Sequence, residues 1–317
     1  MGLFDKPEVI ILKESSDAKA YLNKLEDLAK KVTNNAPLSQ KLEKEIAITK
    51  AGIVGEDQIL FELKNSGMNL VVLHDIYIED PNGNGAQIDF LVISPYVDVI
   101  IECKNLFGNI EINNKGDFIR TIEYGSKRYK EGIYSPITQN ERHMRVYKEC
   151  RKADKGLLMG AIFEKGFDHF HKSLIVLANP KTVVNDRFAP ADVKKQVIRV
   201  DQLIKTLREY KSDAKSNKQQ MLAFGEKVLA MNIEERKDYF AKFEELQNEL
   251  QNTSMVEDKS PETTTVNSQI QTNSAEKKIC PRCGKELVKR IAKRGDNQGN
   301  SFWGCTGFPK CKYIENI

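Results

Sequence analysis

Residues 87–105 read Gln-Ile-Asp-Phe-Leu-Val-Ile-Ser-Pro-Tyr-Val-Asp-Val-Ile-Ile-Glu-Cys-Lys-Asn, two apolar stretches separated by a short turn around Pro95. Stretches rich in Val and Ile with a turn between them predict two antiparallel strands, here joined by a four-residue loop because Pro95 fits a two-residue turn poorly. A hairpin symmetric about that turn pairs Asp89 with Glu102, with Cα atoms roughly 5 Å apart and both carboxylates on one face. Lys104 follows Glu102 by two residues and points to the same face.

Two carboxylates at this separation repel each other by roughly 3 kcal/mol at an effective dielectric constant of 20, and the neighbouring Val and Ile leave them little water. A third carboxylate is available at Glu56, which falls on the apolar stripe that Ile53 and Leu60 define on a predicted helix. An acid on such a stripe should be paired or liganded. A divalent cation that prefers oxygen ligands, Mg²⁺ or Mn²⁺, would neutralise the group.

The rest of the chain supplies alternating helix and strand patterns around this hairpin. The predicted helices cover residues 18–32, 52–64, 136–152 and 201–210, with a further helix starting near residue 38. Ser135 and Pro136 are typical of the start of the helix at 136–152. The other predicted strands cover residues 70–74, 109–113, 173–178 and 197–200. Residues 38–210 are therefore predicted to form one α/β domain, a mixed sheet flanked by helices.

Four further segments complete the predicted organisation. Residues 1–37 form an N-terminal helical segment, and residues 211–251 form a charged helical segment with too few apolar positions for a thick core. Residues 252–278 are rich in Ser, Thr, Asn and Gln without an apolar period, which predicts a disordered linker. Residues 279–317 form a small cysteine-rich module.

Four short motifs in the α/β domain stand in the order typical of the nuclease-related domain (NERD) family of the PD-(D/E)XK nuclease superfamily. They are Gly55-Glu56, Gln87-Ile-Asp-Phe-Leu-Val-Ile93, Ile101-Glu-Cys-Lys-Asn105 followed by Gly108, and Ser135-Pro-Ile-Thr-Gln139. The resemblance covers about residues 50–160 and implies a restriction-endonuclease-like fold. The sequence has Gln-Ile-Asp where the superfamily name has Pro-Asp, a departure that leaves the acidic ligand in place.

The resemblance also implies roles for the residues in these motifs. Glu56, Asp89 and Glu102 would be the metal ligands. Lys104 would orient the attacking water or stabilise charge on the phosphate, and Gln139 would contact the site from its helix. Metal ions lower the pKa of bound water and screen developing charge, which is the chemistry such a site uses.

Simpler explanations of the same residues remain open. Glu102 and Lys104 could form a surface ion pair that stabilises little. Gln139 in the first turn of a helix needs no functional explanation. The basic residues of the helix at 136–152 fit either a phosphate track or a solvated helix face.

The second group of candidate residues lies in the C-terminal module, where Cys280 and Cys283 are followed by Cys305 and Cys311. Two thiolate pairs on two turns can complete a tetrahedral Zn²⁺ shell. About forty residues cannot bury enough surface to fold unaided, so the metal would supply the folding energy. A disulfide arrangement is the weaker alternative, because the chain shows no pattern for export to an oxidising compartment.

The segment from Cys280 to Tyr313 closely resembles the zinc ribbon at the C-terminus of bacterial type IA topoisomerases. This resemblance implies binding of single-stranded DNA through aromatic and basic side chains. The residues that would stack on bases or neutralise phosphates are Phe302, Trp303, Phe308, Tyr313, Arg290, Lys293, Arg294 and Lys310. The aromatic residues could equally form the small core of the ribbon.

The charge distribution supports a polyanion partner for this module. Residues 277–317 contain ten Lys and Arg and three Asp and Glu, a net charge of +7, whereas the whole 317-residue chain carries +4, so the remainder carries −3. A basic module attached to a slightly acidic domain is typical of nucleic-acid binding.

The absence of other patterns excludes several classes of protein. No stretch approaches the eighteen apolar residues of a membrane span, and the first residues lack a secretion signal, so a cytoplasmic protein without a membrane partner is predicted. No Ser-His-Asp order or phosphate-binding glycine loop occurs. The sequence therefore predicts a metal-dependent nuclease that hydrolyses phosphodiester bonds in DNA, with DNA-processing proteins as further partners. The alternative is a DNA-binding accessory protein with an inactive nuclease fold.

Overall fold

The computed structural model describes residues 6–32, 35–234, 240–257, 278–291, 301–307 and 311–316. The chain divides into two compact units, Met1–Lys259 and Ser260–Ile317, each described by itself below. The strands are β1 (Val9–Lys13), β2 (Leu70–Glu79), β3 (Gly85–Ile93), β4 (Asp98–Lys104), β5 (Asn109–Ile112), β6 (Phe118–Tyr124), β7 (Lys127–Ile133), β8 (His171–Leu177), β9 (Val184–Asn185), β10 (Val197–Arg199), β11 (Leu287–Ile291), β12 (Ser301–Cys305) and β13 (Ile314–Asn316). The helices are α1 (Asp17–Lys31), α2 (Ala36–Lys64), α3 (Pro136–Lys152), α4 (Leu157–Phe170), α5 (Ala191–Gln196), α6 (Leu203–Glu209), α7 (Lys218–Leu229) and α8 (Ala241–Glu257). None of the helices in these ranges is long and apolar enough to cross a membrane.

A six-stranded mixed sheet in the order β1-β2-β3-β4-β8-β10 forms the centre of the larger unit. The strand β3 runs antiparallel to β2 and β4, while the other neighbours are parallel. Helices α2 and α6 cover one face through buried residues such as Ile59 and Leu203. Helices α3, α4 and α7 cover the other face, where Tyr147, Phe167 and Met221 are buried. The mixed α/β fold predicted from the sequence is confirmed.

The predicted hairpin forms with the predicted register. Phe90 pairs with Ile101, and Ile93 pairs with Asp98. Residues 94–97 make the four-residue loop, which is closed by the Ser94 amide donating to the Val97 carbonyl at 2.9 Å. The ladder ends at the pair of Phe90 and Ile101, and Asp89 and Glu102 are the next residue on each strand beyond it.

A smaller sheet in the order β7-β6-β5-β9 packs beside the main sheet. Its buried residues Ile110 and Phe118 meet Ile137 of α3 and Leu177 of β8 in one apolar cluster. The strand β7 forms an edge of this sheet and has four charged residues among its seven. β5 is the one strand of this sheet that the sequence analysis predicted.

The first sixty residues differ from the sequence prediction in two places. Residues 1–37 were predicted to be helical, but Val9–Lys13 form β1 and pair in parallel with β2. The prediction was wrong there because an apolar run can gain a strand partner far away in the chain, which no local pattern reports. The two helices predicted around residues 38 and 52–64 are one continuous helix, α2, because a single Gly52 weakens a helix without ending it.

The segment at 211–251 is also better packed than predicted. Met221 and Val228 of α7 are buried against the main sheet. Leu246 of α8 is buried with Leu25 of α1 and Leu42 of α2 in a separate helical cluster. The helix α8 continues to Glu257, six residues into the segment predicted as a linker. Residues 258–277 of that predicted linker lie outside the described part of the chain.

The smaller unit is a three-stranded antiparallel sheet in the order β11-β12-β13. Its buried core consists of Cys280, Leu287, Cys305 and Cys311. Trp303 packs against this core while remaining partly exposed. Three of the four core residues are therefore predicted metal ligands.

Candidate functional sites

The first candidate site lies at the end of the β3–β4 ladder. Asp89 Oδ2 accepts a hydrogen bond from the Cys103 amide at 2.7 Å, just beyond the last pair of the ladder. Burial raises the pKa of Asp89 well above its ordinary value, and the charges of Glu102 and Glu56 raise it further. The three acids therefore interact electrostatically, as the sequence analysis expects.

Glu102 forms the buried centre of this site, with a side chain only 2% exposed. Lys104 Nζ lies 2.6 Å from Glu102 Oε1 and donates to Gln139 Oε1 at 3.0 Å. Burial alone would lower the pKa of Lys104, but the neighbouring carboxylates of Glu102 and Asp89 raise it. The structure thus brings Asp89, Glu102, Lys104 and Gln139 together, and the Lys104–Glu102 pair joins a half-buried ammonium group to a buried carboxylate.

His143 is one of the basic residues of the helix at 136–152 for which the sequence analysis left a phosphate track or a solvated face open, and the structure places it at the acidic site. Its Nδ1 lies 3.3 Å from Glu102 Oε2, and its side chain is 12% exposed. It stands four residues after Gln139 on α3, so both side chains lie on one face of that helix. The spacing within α3 could have suggested this, but only the fold reveals that the face meets Glu102.

Glu56 is positioned by a close approach of α2 to the end of β4. A Cβ at Gly55 would lie 2.7 Å from Asn105 Cβ, so the helix can come this near only without a side chain there. The Asn105 side-chain Nδ2 donates to the Ala51 carbonyl at 2.7 Å and fixes the contact. Glu56 Oε2 lies 2.9 Å from His74 Nε2.

The donor set fits a hard divalent cation, although the oxygens are not gathered around one point. Glu102 Oε2 is buried and has no hydrogen-bond partner among the described residues, although His143 Nδ1 lies 3.3 Å away, and a cation would satisfy such an acceptor. Carboxylate oxygens are the ligands that Mg²⁺ and Mn²⁺ prefer. Within the described ranges, however, only the cysteines form a group of three or more ligand side chains with donor atoms within 4.8 Å of one another.

The second candidate site is that cysteine group. The Sγ atoms of Cys280 and Cys311 are 3.7 Å apart, and those of Cys283 and Cys305 are 3.3 Å apart. A tetrahedral zinc with bonds of about 2.3 Å requires sulfur separations of about 3.8 Å. These separations exceed the disulfide bond length of about 2.05 Å, and all six cysteines of the chain are free thiols. The four thiols therefore fit a structural zinc.

Backbone geometry around the thiols supports the same conclusion. Gly284 has a φ of +72°, a left-handed conformation that favours glycine and closes the turn after Cys283. The Gly307 amide donates to Cys305 Sγ at 3.3 Å. Hydrogen bonds of this kind favour a thiolate over a thiol.

The predicted nucleic-acid-binding residues of the ribbon are only partly described. Phe302 pairs with Arg290 across β11 and β12, so these two side chains share one face of the sheet. Trp303, the next residue along β12, lies on the opposite face against the cysteine core, with Lys278 Nζ 5.6 Å from its ring centroid. Lys293, Arg294, Phe308 and Lys310 lie outside the described residues.

Comparison with known proteins identifies both parts of the chain. Residues 51–178 match the model of the nuclease-related domain family, and residues 277–317 match the topoisomerase DNA binding C4 zinc finger. A DNA topoisomerase 1 of Mycoplasma genitalium is 53% identical over 36 residues, which are 11% of this chain and 5% of that protein. No solved structure matches the chain. The chain therefore combines a nuclease-related domain with a C-terminal zinc finger of the topoisomerase type.

Proposed function

We propose that the chain is a metal-dependent nuclease that hydrolyses phosphodiester bonds in DNA, and that its zinc ribbon holds a single strand. The observation that supports this best is the buried carboxylate of Glu102, which contacts the half-buried Lys104 and, through it, Gln139, beside Asp89. A simple surface ion pair would not contain a carboxylate that is only 2% exposed, with one oxygen that makes no hydrogen bond and a further acid beside it.

Each residue of the group has a task in this proposal. Asp89, Glu102 and Glu56 would hold Mg²⁺ or Mn²⁺, which when bound lowers the pKa of water and screens charge on the phosphate. The contacts with Glu102 and Gln139 orient the Lys104 ammonium group, which would stabilise the charge that develops on the phosphate. Gln139 is a positioning residue that acts through Lys104.

The ribbon supports the choice of DNA. The family that it matches is described as DNA binding, and its basic charge attracts phosphates. Phe302 and Arg290, adjacent on one face, are suited to stack on a base and to neutralise a phosphate. Free thiols at the zinc site need a reducing compartment, so we propose a cytoplasmic location.

A non-catalytic role is the second candidate function, and one observation favours it. Glu56 contacts His74, Glu102 contacts Lys104, and Asp89 accepts from the Cys103 amide, so each of the three acids already has a cationic or hydrogen-bonding partner. In an inactive nuclease fold that serves as a DNA-binding scaffold, such contacts within the protein would satisfy the acids without a metal ion.

A cleavage assay separates the two functions. Purified full-length protein is incubated with labelled single- and double-stranded DNA and RNA, with Mg²⁺, with Mn²⁺ or without added divalent ion. We expect cleavage of DNA that requires the ion and falls about 10²-fold or more in Glu102→Gln and Lys104→Met.

The matched control is the exposed pair of Glu111 and Lys130 on the smaller sheet, 3.2 Å apart. Glu111→Gln and Lys130→Met should leave the cleavage rate unchanged. Cleavage that survives Glu102→Gln would disprove the assigned site, and no cleavage of any substrate by the wild type would favour the scaffold.

A further inference from the structure

The acidic site contains a histidine nitrogen to which the proposed function gives no task. His143 Nδ1 lies 3.3 Å from Glu102 Oε2, and its side chain is 12% exposed. Both atoms are buried, and neither makes a hydrogen bond within the described part of the chain. Buried polar atoms without a partner are rare because they are costly. Two of them side by side therefore indicate a shared partner that the protein itself does not supply.

Helix α3 holds the imidazole at this position. Asn140, which is fully buried on the same helix, donates through Nδ2 to the Ile100 carbonyl of β4 at 3.2 Å and to Ser173 Oγ of β8 at 2.9 Å. These two contacts anchor the first turns of the helix to neighbouring strands of the main sheet. His143 is thus brought to Glu102 by a fixed element rather than by a loop.

The two oxygens of Glu102 have different surroundings. Oε1 lies 2.6 Å from Lys104 Nζ, which also donates to Gln139 Oε1 at 3.0 Å. Oε2 lies on the side of His143. Lys104 therefore occupies one oxygen and leaves the other free beside the imidazole.

The separation of the two unpartnered atoms suits two ligands of one metal ion. Bonds of about 2.1 Å place neighbouring ligand atoms about 3.0 Å apart in an octahedral shell and about 3.4 Å apart in a tetrahedral one. The observed 3.3 Å lies in that interval. Imidazole is a good ligand for first-row transition ions, whereas Mg²⁺ prefers oxygen. An imidazole ligand would therefore make the site discriminate between the two kinds of ion.

The other three histidines of the chain do not offer such a nitrogen at the acids. Both ring nitrogens of His74 are engaged, one with the Glu14 carbonyl at 3.0 Å and the other with Glu56 Oε2 at 2.9 Å. His169 is exposed on α4, and His171 lies beside the first residue of β4, at the opposite end of that strand from Glu102.

We propose that His143 is a nitrogen ligand of the metal ion assigned above to Asp89, Glu102 and Glu56, and that it makes the site prefer a first-row transition ion such as Mn²⁺ to Mg²⁺. The inference rests on the proposed function for the position of the ion. Its test measures metal binding and spectroscopy, so it does not depend on cleavage.

The test adds Mn²⁺ alone to the full-length protein, with zinc kept in the ribbon and no nucleic acid present. Pulsed electron paramagnetic resonance detects the coupling of Mn²⁺ to a directly bound nitrogen nucleus, which sulfur ligands do not produce. Titration calorimetry measures the affinities for Mn²⁺ and for Mg²⁺. The variant is His143→Gln, and His169→Gln is the matched control because it removes an exposed imidazole on α4.

We expect the wild type to show a nitrogen coupling that changes when only the histidines carry the heavier nitrogen isotope. His143→Gln should abolish the coupling and weaken Mn²⁺ binding about tenfold or more, while Mg²⁺ binding changes less than about threefold. His169→Gln should change neither the coupling nor the affinities.

The inference is overturned if the wild type binds no Mn²⁺, if bound Mn²⁺ shows no histidine coupling, or if His143→Gln retains that coupling. The isotope experiment needs no variant, so it decides the question even if His143→Gln does not fold. Coupling without cleavage would support the ligand and contradict the nuclease. Metal-dependent cleavage without coupling would support the nuclease and overturn the ligand.

Discussion

The two units of the chain place their candidate ligands differently with respect to the hydrophobic core. In the larger unit the core consists of aliphatic and aromatic residues on both faces of the sheet, and the acids lie at one end of its strands. In the ribbon the ligands are the core, since Cys280, Cys305 and Cys311 supply most of its buried residues. A domain of the first kind folds before it binds a metal, whereas one of the second kind folds by binding it.

The largest expected effect is the loss of the ribbon when its metal is removed. Chelation of zinc, or Cys305→Ser, should unfold the sheet of β11, β12 and β13, because about 10 kcal/mol of folding energy comes from the metal. Trp303 is the chain's single tryptophan, so a red shift of its emission reports this unit alone. The helical signal of α1–α8 in far-UV circular dichroism should be retained. A cooperative loss of that signal would contradict the view that the larger unit folds independently of the metal in the ribbon.

The next effect concerns buried ionisable groups in the larger unit and depends on pH. The raised pKa of Asp98 makes stability fall as pH rises from 4 to 7, because the native state holds a proton that the unfolded state has lost. The lowered pKa of His171 makes stability rise from pH 4 to 6.5, because only the unfolded state binds that proton. In the wild type, these two contributions to the slope of stability against pH oppose each other.

Single substitutions should reveal each slope. In Asp98→Asn the free energy of unfolding, relative to the wild type, should increase by on the order of 3 kcal/mol from pH 4 to 6.5. In His171→Gln it should decrease over pH 4 to 7. Urea denaturation at several pH values measures both, and parallel pH profiles for the three proteins would show that burial does not shift these groups.

A smaller effect is expected at the Glu102–Lys104 pair. Lys104→Met leaves the Glu102 carboxylate buried without its cation, and should lower the free energy of unfolding by about 3 kcal/mol. The double variant Glu102→Gln/Lys104→Met should regain most of that loss, because the uncompensated charge is gone. The exposed Glu111–Lys130 pair is the comparison, and its disruption should cost less than about 1 kcal/mol. Chemical denaturation measures both losses of the free energy of unfolding. Equal losses would mean that burial of Glu102 gives its ion pair no greater weight than an exposed pair has.

The smallest effects come from two glycines three residues apart on α2. Gly55→Ala should destabilise the larger unit by about 1–3 kcal/mol, since the new Cβ would lie 2.7 Å from Asn105 Cβ. At Gly52 nothing lies within 4 Å of a Cβ, so Gly52→Ala should stabilise the helix by about 0.5–1 kcal/mol. Thermal melting compares them, and a stabilising Gly55→Ala would show that α2 does not need its close approach to β4.

The sequence predicts local features of the candidate site well and distant contacts poorly. The hairpin register follows from a period of two and a turn between the strands, so the pairs from Phe90–Ile101 to Ile93–Asp98 were predictable. The pairing of α3 with β4, which brings His143 to Glu102, joins residues about forty positions apart. Neither residue type nor spacing records such a contact. The parallel pairing of β1 with β2 was missed for the same reason.

The charged edge strand β7 bears on how copies of the chain behave at high concentration. An edge strand offers unpaired backbone amides and carbonyls, to which a strand from another molecule can bind. Four of the seven residues in β7 are Lys127, Arg128, Lys130 and Glu131, and the neighbouring β6 already pairs with its other side. Three of the four charges are positive, so a second copy would place one net-positive edge against another, which opposes sheet extension and aggregation.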